Sequence, residues 1–327
     1  MNILIAHKGI IPVTNYGGTE RVIWYLGKEL SKLGHGVSFL VNKGSYSDFA
    51  KVFYYDSSKS IASQIPQETD IVHFNFEPSE IILTPYVVTM HGNFNDERLF
   101  DLNTIFVSAN HAERFGSKSF VHNGLDWDDY LKPSLNNNRN YYHFLGNASW
   151  RVKNVKGAIN IIRDTRAEKL KVLGGTRLNF NMGFRFTTST RVIFYGMVGG
   201  TKKCSLLGGS KGLMFPVRWH EPFGLAITES LYFGCPVFGT PYGSLPEIVT
   251  KEVGFLSAKG TELKEAVENK NDFSLKICHE YASENFNSKK MAESYLEKYL
   301  LVLNGGQLNK TQPKLITIQN ERFLPFD

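Results

Sequence analysis

The chain has 327 residues, 37 Lys plus Arg against 31 Asp plus Glu, and a hydrophobic fraction of 42%. That balance excludes wholesale disorder, collagen and coiled coil, and the length suits about two domains. The charge is uneven: residues 1–138 sum to −4 and the remainder to +10, so the basic character belongs to the second half.

Short β-rich runs alternate with helical patterns from the first residue, the signature of parallel α/β sheets. Asn2–Ala6 reads as a buried strand. Glu20–Leu33 reads as a helix through Val22, Ile23, Leu26, Leu30 and Leu33. Further strands are expected at 37–41, 70–74, 86–90, 104–107 and 120–122. The polar, Asn-rich stretch 132–140 reads as a linker. The alternation restarts with strands at 141–145, 170–173, 192–195, 213–215 and 236–238, and a last strong helix covers about 288–303. The expected architecture is two doubly wound Rossmann-like domains facing across a cleft. Domain limits are placed at 1–138 and 139–287, and the helix and tail 288–327 are expected to pack back toward the first domain.

The three cysteines, Cys204, Cys235 and Cys278, lack metal-ligand spacing, which speaks against a zinc module or disulfide framework and for a reducing cytoplasm. Met1–Ala6 lacks the basic start of a cleavable leader, and no apolar run approaches the ~20 residues of a membrane span. A soluble cytoplasmic protein is expected. The basic second half suits an anionic ligand, a nucleic acid or simply a solvated face. Nucleic acid is disfavoured, because the basic residues are scattered and no helix-turn-helix, zinc-finger or RNP signature accompanies them.

The most informative stretch runs from Arg218 to Ser230, after a strand end where an open parallel sheet places ligands. Pro222 and Gly224 break the chain before a helix starting near Leu225. The amides of Phe223, Gly224 and Leu225 should lack intrahelical partners and attract an anion. Glu221 precedes the helix as a loop residue outside the core, and Glu229 lies inside it. Carboxylates accept from sugar hydroxyls, so one suits a hexose and the other a ribose. Gly17 and Gly18 lie between a strand and a helix, with Thr19 the expected N-cap. The pair is either a phosphate-approaching loop or a simple turn. His91 follows a strand and adjoins Gly92; a lone histidine of this kind is more often structural.

Glu221 and Glu229 form an E-x7-E pattern opened by Glu221-Pro222-Phe223-Gly224. Gly234-Cys235-Pro236-Val237, the loop 241–249, Met90-His91-Gly92 and Asn123-Gly124-Leu125-Asp126 follow in matching order. In these motifs the chain resembles glycosyltransferase family 4, whose members are retaining, metal-independent and built on the GT-B fold. The resemblance implies sugar transfer from a nucleoside diphosphate donor, a UDP- or GDP-sugar, to a hydroxyl acceptor that is a glycan or glycolipid. No other cofactor is implied, peripheral membrane contact is allowed, and the oligomeric state is left open. Catalytic roles fall to Glu221, on the sugar hydroxyls, and His91, on the reacting face. Donor contacts fall to Gly17, Gly18, Phe223, Gly224, Leu225 and Glu229, the last on the ribose. Asp126-Trp127-Asp128 matches the short D-x-D metal motif of another fold, but it sits where this family has a structural turn, so no metal is assigned. A GT-B epimerase or phosphorylase, or a non-catalytic sugar-binding protein, would share the architecture.

One position departs from the family. The arginine that follows the first glycine of the second domain is replaced by Asn147, after Gly146. Lys153 matches the family lysine, and two readings stay open: Arg151 supplies the missing diphosphate charge from a new position, or it is a solvated loop charge and Lys153 works alone.

Overall fold

The computed structural model describes residues 1–13, 17–269 and 273–327. Contacts divide the chain into two units. The first holds Met1–Val13, Gly17–Trp127 and Phe286–Gln319, and the second holds Asp128–Asn285 and Asn320–Asp327. The division therefore falls ahead of the Asn-rich stretch, at Trp127/Asp128, and the last eight residues leave the first unit for the second.

In the first unit the order is β1 (Asn2–Ala6), α1 (Gly18–Lys32), β2 (Gly36–Val41), β3 (Lys51–Tyr54), β4 (Ile71–Phe74), β5 (Tyr86–Met90), β6 (Thr104–Phe106) and α2 (Ala109–Arg114). The sheet order is β3-β2-β1-β4-β5-β6, with every pair parallel. Leu4, Ala6, Val72, Phe74 and Val88 pack one core, and Phe100, Phe106 and Phe115 another. The expected strand at 120–122 reduces to a single bridge from Phe120 to Phe106.

The second unit continues with β7 (Tyr141–Leu145), α3 (Val155–Asp164), β8 (Leu170–Leu173), β9 (Leu178–Asn179), β10 (Arg185–Phe186), β11 (Val192–Phe194), α4 (Gly200–Gly208) and β12 (Ser210–Phe215). It ends with α5 (Leu225–Tyr232), β13 (Val237–Gly239), α6 (Leu245–Ile248), β14 (Gly254–Leu256), α7 (Gly260–Glu268) and α8 (Leu275–Asn285). Its six-stranded parallel sheet runs β11-β8-β7-β12-β13-β14. The small β9–β10 hairpin stands apart as a two-stranded antiparallel sheet. Strand order reverses between β1 and β4 in one sheet and between β7 and β12 in the other. Open α/β sheets bind ligands at the carboxyl ends beside such a switch.

The chain returns to the first unit with α9 (Ser288–Leu303). Tyr295 and Tyr299 of this helix are buried, and the Tyr299 hydroxyl lies 2.7 Å from His73 Nδ1 on β4. His73 Nε2 meets Thr89 at 2.7 Å, so this histidine belongs to the core.

Candidate active site

In the first unit, three polar side chains follow strand ends: His7 after β1, Asn75 after β4 and His91 after β5. His91 Nε2 lies 2.8 Å from Asn75 Oδ1. Burial pushes the His91 imidazole down to about 3, so it is neutral at pH 7. His7 Nε2 sits 3.6 Å from Glu20 Oε1, and the nearby imidazole holds the Glu20 carboxyl below its usual range. These four residues and Thr19 line a cavity of about 840 Å³. His7, Glu20 and Asn75 were not singled out from the sequence. Their positions at or opposite the carboxyl ends of parallel strands are the signal that could have found them.

Gly17, not Thr19, is the N-cap residue of α1, and Gly18 is the first helical residue. A Cβ at Gly17 would lie 2.8 Å from both Glu20 Oε2 and a Val13 methyl, so a side chain there would displace these neighbours. Asp126 lies 2.8 Å from Lys28 Nζ and 3.4 Å from Lys32 Nζ. Two ammonium groups therefore flank the Asp126 carboxylate.

In the second unit, the loop after β7 and the loop after β12 are tied together. Asn147 Oδ1 accepts from Ser149 N at 3.0 Å, and its carbonyl accepts from Trp150 N at 3.1 Å. The neutral residue in the arginine's place therefore folds its own loop. Arg151–Lys153 form a 3-10 turn ended by Asn154, which takes a left-handed φ of 54°. The Asn154 side chain caps α3, accepting from Gly157 N at 3.0 Å, and donates to the Pro216 carbonyl at 2.9 Å. Arg218 N reaches the Val152 carbonyl at 2.7 Å, closing the tie.

That tie delivers Lys153 to Glu221. Lys153 Nζ lies 2.5 Å from Glu221 Oε2, and Trp219 Nε1 donates to the same oxygen at 2.8 Å. Glu221 is 6% exposed, so it is a packed residue and not the open loop carboxylate expected from the sequence. Its carbonyl accepts from Ser244 N at 2.9 Å. Gly243 packs so close that a Cβ there would come within 2.2 Å of Glu221 N.

Gly224 caps α5 with φ 86°, and its neighbour Phe223 is 2% exposed. Phe223 thus offers a ligand only its backbone. The leading amides of α5 precede the first full helical turn, and their orientation favours an anion. Glu229, 2% exposed, accepts from the Tyr130 hydroxyl at 2.7 Å and from the Lys203 ammonium. Trp219, Tyr130 and Lys203 were not anticipated, since nothing in their local sequence marks them.

Arg151 does not join this group. Residues of a 3-10 turn project ~120° apart, so positions 151 and 153 diverge. The Arg151 guanidinium lies 5.0 Å from the Phe323 ring centroid and lines a separate cavity that includes none of Lys153, Glu221 and Glu229.

Residues 128–276 match the family model for glycosyl transferases group 1, a span lying within the second unit. AviGT4, a glycosyltransferase involved in avilamycin A biosynthesis, superposes with a TM-score of 0.74 at 18% identity, covering 94% of this chain and 99% of that one. The fold is GT-B. A second GT-B-like match is Anabaena HepE in complex with UDP and glucose, with a TM-score of 0.64, 16% identity and coverage of 91% and 98%. An uncharacterized 41.2 kDa protein in the cps region of Klebsiella pneumoniae is 27% identical over 115 residues. That stretch spans 33% of this chain and 32% of the Klebsiella protein.

Proposed function

We propose that this chain is a retaining glycosyltransferase that moves a sugar from a UDP- or GDP-linked donor to a hydroxyl of a glycan or glycolipid, in surface polysaccharide or glycolipid synthesis. The observation that carries the reading is the Lys153–Glu221–Trp219 group beside the start of α5, inside the segment that matches group 1 glycosyl transferases. The group 1 match supports glycosyl transfer, and the HepE complex supports a UDP-linked donor. Lys153 and the amides of Gly224 and Leu225 hold the diphosphate, with Gly17 and Gly18 permitting close approach of the backbone. Glu221 accepts from the sugar hydroxyls, with its carboxylate aimed by Trp219. Glu229, oriented by Tyr130 and Lys203, accepts from the ribose. His91, neutral and fixed by Asn75, serves the reacting face of the sugar. The cavity lined by His7, Glu20 and His91 receives the acceptor.

The protein needs no nucleophile of its own in this scheme. The departing diphosphate takes the acceptor's proton, and the enzyme supplies positioning and charge stabilisation. Metal plays no part, and Asp126 is committed to two lysines.

The test is a thermal-shift panel of UDP-, GDP-, ADP- and dTDP-sugars with EDTA throughout, followed by product analysis of the best donor with and without candidate acceptors. Binding to the folded state alone raises the melting temperature by mass action. A UDP- or GDP-sugar should give the largest shift and a product with the donor's anomeric configuration. Absence of any nucleotide shift, an inverted product or rescue by manganese would overturn the proposal. Conversion of the donor without an acceptor would favour an epimerase.

A further inference from the structure

The β9–β10 hairpin departs from the rest of the second unit in what it shows to water. Phe180, Met182, Phe184 and Phe186 are 72%, 58%, 72% and 57% exposed. The Phe180 and Phe184 rings lie 5.7 Å apart, packed on one another at the tip. Contiguous exposed apolar surface of this kind marks an interaction site, whereas isolated exposed apolar residues need no explanation.

Beside the hairpin lies a cavity of about 760 Å³, bounded by α3 and by Phe323 from the chain end. Its walls carry Arg151, Lys156, Arg163, Arg185 and Arg218, and no aspartate or glutamate among the described residues. Arg151 and Arg218 lie 5.0 and 5.3 Å from the Phe323 centroid. Arg185 is fixed by the Thr176 carbonyl at 2.9 Å and Thr187 Oγ1 at 3.1 Å. None of the five has a carboxylate partner among the described residues. The cavity therefore concentrates uncompensated positive charge beside a set of water-facing apolar side chains, of which Met182, Phe184 and Phe186 also line it.

We propose that this face docks on an anionic lipid bilayer, with the hairpin rings entering the headgroup–acyl boundary and the cavity cations meeting lipid phosphates. The charge complementarity favours that occupant. Exposed apolar side chains adjoining a cavity of unpaired cations match the adjoining apolar and phosphate zones of an anionic bilayer. The proposal is independent of the glycosyl-transfer reading, because none of Lys153, Glu221 and Glu229 lines this cavity.

The experiment is co-sedimentation of the full chain with vesicles of phosphatidylcholine alone, or of phosphatidylcholine with one third phosphatidylglycerol. The native chain should pellet with the anionic vesicles and be released by salt. Two double variants at exposed positions, Phe180→Ser with Phe184→Ser and Lys156→Glu with Arg163→Glu, should each weaken that binding by at least ~tenfold, while melting temperature and nucleotide binding hold. Inorganic phosphate should displace the chain no better than chloride at equal ionic strength. Failure of the native chain to bind anionic vesicles, or native binding by both variants, would overturn the proposal. Selective displacement by phosphate would make the cavity a free-anion site instead. A dimer lost in the Phe180 and Phe184 variant, with vesicle binding unchanged, would assign the face to a second copy of the chain.

Discussion

Glu221 Oε2 takes both a lysine ammonium and an indole N–H, and the three side chains are largely out of water. Removing the carboxylate leaves the Lys153 charge desolvated and unpaired, at a cost of roughly 3–5 kcal/mol for a buried pair that loses one partner. Glu221→Ala should therefore abolish transfer and also lower the melting temperature by several degrees. Glu221→Gln keeps the shape and one acceptor for the ammonium but not the counter-charge, so it should lose less stability than Glu221→Ala while still losing most of the activity. Parallel measurement of turnover and thermal unfolding on the two variants checks this. Full turnover in either would remove Glu221 from the reaction. The carboxylate type and spacing were legible in the sequence. The burial was not, because it comes from the approach of Gly243 and from Lys153, 68 residues away.

Helix α5 shows how one backbone position sets a site. Gly224 holds φ 86°, and a Cβ there would lie 2.9 Å from Ile227 Cδ1 and 3.3 Å from Glu221 Cγ. Gly224→Ala should lose about 1–2 kcal/mol from the left-handed backbone alone, and should weaken the nucleotide diphosphate as the helix start shifts against Glu221. Gly34 is the control: its φ is 87° with nothing within 4 Å of a Cβ. Gly34→Ala should cost the strain and leave nucleotide binding intact, so calorimetry on both separates strain from displacement. Equal nucleotide affinities in the two variants would refute the positional role of Gly224. At this scale the sequence was most readable where periodicity is sustained. The limits of α9, Ser288–Leu303, agree with the pattern, whereas β3, β14 and the β9–β10 hairpin were missed. The hairpin strands are two residues each and largely exposed, so they carry no burial alternation to read.

Across the whole molecule, several histidines are folded in neutral. Burial pushes His73 and His143 down to about 3; His73 is held by Thr89 and Tyr299, and His143 by Ser210 and Ser230. The unfolded chain binds protons near 6.5, so between 6.5 and about 3 it binds more protons than the folded chain. Stability is therefore complete above 6.5 and falls as the pH drops, by on the order of 1 kcal/mol per histidine at one unit below 6.5. Urea midpoints at pH 7.5 and 5.5 (roughly one unit to either side of the free imidazole value) should show this loss, and His143→Gln should reduce it. A midpoint independent of pH in that range would contradict the neutral assignment. The sequence by itself determined the α/β alternation, the parallel sheets and the Glu221 and Glu229 spacing, because periodicity, turn residues and motif order are properties of neighbouring positions. Only the tertiary structure decided which charges meet. Glu229 is bonded by Tyr130 and Lys203, 99 and 26 residues away, and Arg151 and Lys153, two residues apart, serve different surfaces. Such pairings follow from strand order and helix packing, which bring together positions that no local pattern links.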